Sequence, residues 1–235
     1  MKTKSKKLIY FIVGVLFLCA LAVGLIVRYA DRRAAISGAL SAPTLVIDAG
    51  HGGIDGGAIS ADGTKESDIN LQIALKLESI VRFCGQKTAM TRWDDSKKTD
   101  ILSYSEHDDL KFRADFANNA ENPVFISIHQ NYYPTAQPKG AQVLYSRFRG
   151  SEELGKLIQS NLVSQLDPDN RRLAVPAPGE LYLTANTRCP AVILECGFMS
   201  NNFEVLKLTD GAYQNALAVL IAGSYLSYIS KSSQV

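Results

Sequence analysis

The chain has 235 residues, a length that favours one large globular domain over two small ones. Its 25 basic and 23 acidic residues give a formal net charge of +2, and without residues 1–27, which hold four lysines and no acidic residue, the charge becomes −2. So balanced a charge excludes a basic nucleic-acid-binding surface, and no nucleic-acid partner is expected.

The N-terminal segment is predicted to cross a membrane. Residues 8–27 are an uncharged run of 20 residues, the length an α-helix needs to span a bilayer. A cleaved signal peptide is the alternative, but its apolar stretch would be shorter and would end at a small-residue cleavage site. We therefore predict a cytoplasmic basic tail at 1–7, a signal anchor at 8–27 and a linker at 28–43, with residues 44–230 forming an extracytoplasmic domain.

Short apolar runs and amphipathic stretches alternate through this domain. The pattern predicts strands at 44–48, 87–91, 123–129, 140–146, 180–184 and 191–195, and helices at 66–83, 106–120, 151–166 and 211–229. The last helix is uncharged, but its Gln, Asn, Ser and Tyr residues favour packing on a sheet over a second membrane span. Such alternation predicts an α/β fold with a mostly parallel central sheet that helices cover on both faces.

A glycine-rich stretch with one histidine, residues 45–58 (LVIDAGHGGIDGGA), contains the end of the first strand. It is not a dinucleotide fingerprint, because Asp55 stands where GxGxxG requires glycine, and it lacks the Gly-Lys-Ser/Thr ending of a phosphate loop. A phosphate cradle is therefore excluded. A histidine in such a turn indicates a metal site, where glycines let the backbone bend sharply.

Three of the predicted strands lead into groups that could bind a metal or act in catalysis: His51, His129 and Glu195. In a parallel sheet these ends share one edge, which is where ligands bind in such folds. A carboxylate directly after an apolar strand is costly to bury unpaired, so Glu195 is expected to meet a cation or to act in the reaction. Glu66 begins the next helix; alone it would only compensate the helix dipole, but beside two histidines it becomes a candidate ligand.

Two histidines and one carboxylate around an open fourth position are typical of a catalytic zinc site, in which Zn²⁺ lowers the pKa of bound water to about 7. A structural zinc site would be closed by a fourth protein ligand and would usually recruit cysteines. Cys84, Cys189 and Cys196 have no CxxC spacing and cannot all pair with one another. They are expected to be small buried apolar residues.

Seven motifs together resemble the zinc-dependent N-acetylmuramoyl-L-alanine amidases, the amidase type 3 family. In chain order between residues 44 and 229 they are VIDAGHGGIDGGA, ESDINL, TR at 91–92, LKFRADFAN, FISIHQN, GAQVLYS and VILECGFMSN. The resemblance implies an α/β fold and hydrolysis of the amide that joins the lactyl group of N-acetylmuramic acid to L-alanine in peptidoglycan. It also implies that His51, Glu66 and His129 bind Zn²⁺. Glu195 would then be the catalytic carboxylate that moves a proton from water to the departing amine.

The chain departs from the family pattern at two positions near these residues. Ala49 replaces the usual proline before GHGG, which we expect to loosen the turn without removing a ligand. Gln130 replaces a smaller or aliphatic residue, which we expect to alter the cleft rim. Asn131 is expected to orient substrate or a ligand, or else to make a structural hydrogen bond. Arg113 is expected to pair with an internal carboxylate, and His107, among charges at a helix start, to lie at the surface.

The layout resembles the spore-cortex branch of the family, which removes stem peptides so that muramic-δ-lactam can form. The resemblance rests on a single anchor, on the lack of an inhibitory helix or wall-binding module, and on residues 170–184 (NRRLAVPAPGELYLT). It implies a cell-membrane or forespore-envelope enzyme acting on the wall side, and such a hydrolase would need control, for instance by a regulatory protein partner. A zinc peptidase of other wall-peptide specificity and a non-catalytic wall-binding module are the alternative functions.

Overall fold

The computed structural model describes residues 20–26, 28, 42–95 and 105–232. Residues 20–26 and 28 are helical, and across the described ranges no helix is both long and apolar enough to cross a membrane. The predicted basic tail (1–7), most of the predicted anchor (8–19 and 27) and most of the predicted linker (29–41) lie outside the described residues. The anchor therefore stays a prediction.

A six-stranded mixed sheet forms the centre of the unit Pro43–Val235. Its strands are β1 (Thr44–Ala49), β2 (Lys87–Met90), β3 (Pro123–Asn131), β4 (Gln142–Tyr145), β5 (Val175–Pro176) and β6 (Ala191–Phe198). Across the sheet their order is β2-β1-β3-β6-β4-β5. The first four in this order are parallel, whereas β4 is antiparallel to β6 and β5 is parallel to β4. The mostly parallel sheet predicted from the sequence is confirmed.

Helices cover both faces of this sheet, as predicted. They are α1 (Glu66–Phe83), α2 (Glu106–Asn118), α3 (Ser151–Gln165), α4 (Tyr182–Asn186), α5 (Asn202–Leu208) and α6 (Gly211–Ser232). Apolar side chains of α1, α3 and α6 pack with Leu45 and Ile47 on one face. Those of α2 and α4 pack with Val46 and Phe125 on the other. Because side chains alternate along a strand, Asp48, Ser127 and His129 share the face of α2 and α4.

The predicted strand at 180–184 is wrong, because the chain turns at Gly179 and forms the short helix α4 instead. Leu183 packs into the α2 face of the core, and a run of five residues does not distinguish one helical turn from a strand. The sheet edge is formed instead by Val175–Pro176, where an edge position accommodates proline. The seven-residue helix α5 was not predicted; the Asn201 side chain caps it by accepting from the amides of its first turn.

The three cysteines that the structure describes differ in solvent exposure. Cys189 and Cys196 are buried and Cys84 is exposed. The expectation of burial is therefore wrong for Cys84, which stands at the C-terminal cap of α1 and beyond the helix face that packs on the sheet. Burial raises the pKa of the Cys189 thiol to about 12, so this thiol stays protonated and unreactive at neutral pH.

Candidate metal centre and active site

Three side chains at the edge formed by the carboxyl ends of β1 and β3 converge on one point. His51 follows β1, Glu66 is the first residue of α1, and His129 lies near the end of β3. Each offers one ligand atom, and these atoms all lie within 4.8 Å of one another. Glu66 Oε1 is 3.3 Å from His51 Nε2 and 3.1 Å from His129 Nδ1. The two imidazole rings meet edge to face, with centroids 5.0 Å apart.

The two separations from Glu66 Oε1 suit a tetrahedral metal ion. Ligand atoms 2.0–2.1 Å from a tetrahedral zinc lie about 3.3 Å from one another, close to the two observed distances. Two nearby glycines also leave room for the ligand side chains. A Cβ at Gly50 would lie 2.3 Å from the His129 ring, and a Cβ at Gly57 would lie 2.7 Å from both Glu66 Oε2 and the His51 ring. The donor set and the space around it therefore fit zinc.

The charges of the three groups depend on one another. Burial lowers the pKa of His51, but hydrogen bonds to Asp55 and Glu66 outweigh this effect and raise it to about 10. Burial raises the pKa of Glu66, but hydrogen bonds and attraction from His129 and His51 hold it well below the usual range of a carboxyl. Without a metal, a proton on His51 thus partly balances the Glu66 carboxylate. A metal ion would displace that proton.

Glu195 lies beside this cluster without a partner of its own. Strand β6 pairs with β3 so that Glu195 stands directly opposite His129, and both side chains point to the same face of the sheet. Its Oε2 is buried and has no hydrogen-bond partner among the residues that the structure describes. Burial raises the pKa of the Glu195 carboxyl, and the Glu66 charge adds to this rise, while the two histidines oppose it. Buried polar atoms usually have a hydrogen-bond partner. A buried oxygen without one, beside three candidate metal ligands, is typical of a group whose partner is a bound substrate or a water molecule.

Two residues of the site have roles that the sequence did not reveal. Asp55 Oδ2 lies 2.9 Å from His51 Nδ1 and so orients the ring, as carboxylates commonly do for metal-binding histidines. Asn70, one turn along α1, donates to Glu66 Oε1 at 3.3 Å and to the Gly50 carbonyl at 3.1 Å. Two features of the sequence could have indicated these roles. Asp55 lies between two glycine pairs, and Asn70 follows Glu66 at the i, i+4 spacing that places both side chains on one side of a helix.

The expectation that Gln130 alters the cleft rim is wrong, because this side chain is buried. Its backbone amide donates to Glu66 Oε1 at 3.0 Å and its Nε2 donates to Asn70 Oδ1 at 3.1 Å. A polar residue at this position therefore supports the carboxylate of Glu66 from behind. Asn131 ends β3, where its carbonyl accepts from the Met199 amide at 2.8 Å.

The prediction that Arg113 pairs with an internal carboxylate is confirmed. The structure identifies that carboxylate as Asp48. Arg113 Nη1 lies 2.6 Å from Asp48 Oδ1, and both side chains are buried. Asp48 lies three residues before His51 in the chain. Asp48 also accepts from Thr91 Oγ1 and Ser127 Oγ, each at 2.6 Å. The network connects the ends of β1, β2 and β3 to α2. His107, by contrast, is exposed as predicted and stacks edge to face on Tyr182.

A narrow cleft leads to the cluster between the glycine-rich turn and α2. His51 and His129 line its floor, Glu106 and Asp109 of α2 line one wall, and Leu183 of α4 contributes an apolar surface. The cleft is small, about 30 Å³, and it places the two histidines beside charged side chains of α2 and an apolar side chain of α4.

The chain is similar to known cell-wall amidases over most of its length. Residues 45–225 match the amidase type 3 family model, described as N-acetylmuramoyl-L-alanine amidase. The germination-specific N-acetylmuramoyl-L-alanine amidase of Bacillus subtilis is 32% identical over 197 residues, which are 82% of each chain. The CwlD amidase of Clostridioides difficile, solved in complex with the GerS lipoprotein, is 37% identical with a TM-score of 0.75, covering 80% of this chain and 98% of that one. Another Clostridium difficile N-acetylmuramoyl-L-alanine amidase is 33% identical with a TM-score of 0.71, over 81% and 98% of the two chains.

Proposed function

We propose a zinc-dependent mechanism for this chain, which belongs to the amidase type 3 family of N-acetylmuramoyl-L-alanine amidases. The chain is a peptidoglycan amidase that hydrolyses the amide bond between the lactyl group of N-acetylmuramic acid and the L-alanine of the stem peptide. The observation that carries the zinc proposal is the convergence of ligand atoms of His51, Glu66 and His129 to within 4.8 Å of one another, beside a cleft that both histidines line.

In this proposal the three side chains hold Zn²⁺ through two imidazole nitrogens and one carboxylate oxygen. That donor set leaves a fourth position for water or substrate, as in catalytic rather than structural sites. When bound, Zn²⁺ polarises the scissile carbonyl and makes the attacking water more acidic. Asp55 fixes the ring orientation of His51, while Asn70 and the Gln130 amide fix the Glu66 carboxylate.

Glu195 is the proposed general base and acid. Its unpartnered oxygen, its position opposite His129 and its raised pKa suit a carboxylate that accepts a proton from water and returns it to the departing L-alanine amine. The acceptor must be ionised before attack and protonated before the amine leaves. Burial raises the pKa of the Glu195 carboxyl, which makes the carboxylate a better acceptor of the water proton.

The test uses the full-length chain in detergent with purified peptidoglycan sacculi. Mass spectrometry should detect stem peptides that begin with a free L-alanine amine, and elemental analysis should find about one zinc ion per chain, the number expected for one three-ligand site. Glu195→Gln should retain zinc and lose hydrolysis, whereas His129→Ala should lose both. Cleavage only within the stem peptide would support a peptidase instead. A fully active Glu195→Gln variant would refute the mechanism.

We also propose that the enzyme acts in spore-cortex maturation, on the wall side of the cell membrane or forespore envelope. The similarity to the germination-specific amidase of Bacillus subtilis supports this role. The solved complex of the Clostridioides difficile amidase supports a lipoprotein as the regulatory partner. A spore former that lacks this gene should lose cortex muramic-δ-lactam, and only the active chain should restore it. Normal lactam content in the deletion strain would exclude the role.

A further inference from the structure

We infer that Arg92 and Arg113 are positioning residues that hold the His51 turn in its metal-binding conformation before any metal binds. We refer to the two guanidinium groups and the backbone carbonyls of residues 49–51 that they contact as the arginine clamp. This inference rests on the proposed zinc site. It concerns how that site is kept in shape and names no additional ligand.

The turn adopts a conformation that needs external support. His51 has φ 61, and Asn122 is the only other non-glycine residue with positive φ in the described part of the chain. An L residue in the left-handed region has its Cβ too close to the following carbonyl, so a free chain would favour other conformations. In this conformation the ring of His51 faces Glu66, with its Nε2 3.3 Å from Glu66 Oε1.

The clamp contacts three successive carbonyls of the turn. Arg92 Nε donates to the Ala49 carbonyl at 2.8 Å, and Arg92 Nη2 donates to the Gly50 carbonyl at 3.1 Å. Arg113 Nη1 donates to the Ala49 carbonyl at 2.9 Å, and Arg113 Nη2 donates to the His51 carbonyl at 2.8 Å. Only a forked, planar cation can bind adjacent carbonyls in this way.

Arg92 also joins the turn to the helix that carries the second ligand. Its Nη2 donates to the Ser67 carbonyl at 2.8 Å, one residue after Glu66. The side chain is 7% exposed, and a Cβ at Gly52 would lie 2.9 Å from its Nε. Glycine at position 52 therefore leaves room for the guanidinium. One buried cation thus fixes the relative positions of two ligand-bearing segments.

The clamp also contacts Ala49, one of the two positions at which the chain departs from the family pattern. Proline, the usual residue of the family at this position, stiffens a turn through its own ring. Here the carbonyl of Ala49 accepts hydrogen bonds from both arginines. The expected loosening of the turn is thereby opposed by contacts from β2 and α2 rather than by the local sequence.

The test compares Arg92→Lys with Leu162→Ala in the full-length chain. Lysine keeps the charge but cannot bind the carbonyls of residues 49, 50 and 67 together. Leu162 is a buried residue of α3, whose main contacts are with α6 and β4, so its truncation lowers stability away from the His51 turn. Zinc affinity is measured by competition with a chelator. Amide hydrogen exchange of Gly52, whose N–H donates to the Asp55 carbonyl at 2.8 Å, reports on the turn in metal-free protein.

Arg92→Lys should weaken zinc binding about 10–100-fold, the range typical of lost outer-shell contacts, and should speed Gly52 exchange without metal. Leu162→Ala should lower the melting temperature and leave both quantities unchanged. If Arg92→Lys lowers only the melting temperature, the role is merely structural and the inference is overturned. If that variant does not fold, Arg113→Lys applies the same test, since lysine can keep the pair with Asp48 but lose the bond to the His51 carbonyl. The two possible failures are distinguishable. If the wild-type chain binds no zinc, the proposed zinc mechanism is overturned together with the clamp. If the wild-type chain binds zinc and Arg92→Lys binds it equally well, only the clamp is overturned.

Discussion

Replacement of Gly57 by alanine should disrupt the metal centre through a single methyl group. The new Cβ would lie 2.7 Å from Glu66 Oε2, about 0.7 Å short of the 3.4 Å at which ordinary van der Waals contact begins. It would lie equally close to the His51 ring, so both ligands would be pushed away from the metal position. Metal–ligand distances tolerate deviations of only about 0.2 Å. We therefore expect zinc affinity to fall by about 10–100-fold, as for other disturbed supports of metal ligands.

The matched control is Gly63→Ala, which separates backbone strain from steric conflict. Gly57 has φ +66 and Gly63 has φ +89, so alanine at either position costs about 1–2 kcal/mol of folding stability. Around Gly63, however, no atom lies within 4 Å of the added Cβ. Urea denaturation of the metal-free proteins should show the backbone cost in both variants and a further loss for Gly57→Ala, and chelator competition should show weaker zinc binding only for Gly57→Ala. Equal zinc affinity of the two variants would refute the steric argument.

Two further predictions concern the carboxylates that support the site. Burial raises the pKa of Asp48, but Arg113 and two hydroxyl donors outweigh this and lower it from 3.8 to about 2. The ionised pair therefore stabilises the fold fully above about pH 4, and this contribution is lost as the pH falls towards 2. Asp48→Asn should cost about 2 kcal/mol at pH 7 and flatten the acid limb of a urea denaturation series, and an unchanged acid limb would contradict this assignment. Asp55→Asn should weaken zinc binding about 10–100-fold in chelator competition, with Asp62→Asn in the nearby exposed loop as the control; equal affinities would show that Asp55 does not orient His51.

Periodicity predicted the long elements because their burial is strongly patterned. Strands β1, β3 and β6 are nearly continuous apolar runs since both faces of the sheet are covered, and α1 shows its buried stripe at residues 69, 73 and 77. Three short elements, β5, α4 and α5, were not predicted correctly, because runs of two, five and seven residues there show no clear period. Their conformations depend on tertiary contacts and on a capping side chain.

The convergence of the candidate ligands was predictable for a topological reason. Parallel strands bring their carboxyl ends to one edge, so ligand-type residues at those ends must lie close together. The supports were not predictable, since Gln130 contacts Asn70 across 60 positions of the chain and a hydrogen bond from arginine to a backbone carbonyl leaves no sequence pattern. The left-handed conformation of His51 is likewise invisible, because glycines surround it and histidine does not require that conformation.

The stability of the His51 turn therefore depends on the packing of β2. Arg92 follows this four-residue strand, which lies at the edge of the sheet and pairs only with β1. Thr91, which lies between β2 and Arg92 in the chain, donates a hydrogen bond to Asp48. Asp48 in turn forms an ion pair with Arg113. Separation of β2 from β1 would break the contacts of Arg92 with the turn and leave Arg113 with a weakened partner. Edge strands open at lower free energies than central strands, so the first local unfolding event on this side of the sheet should also release His51.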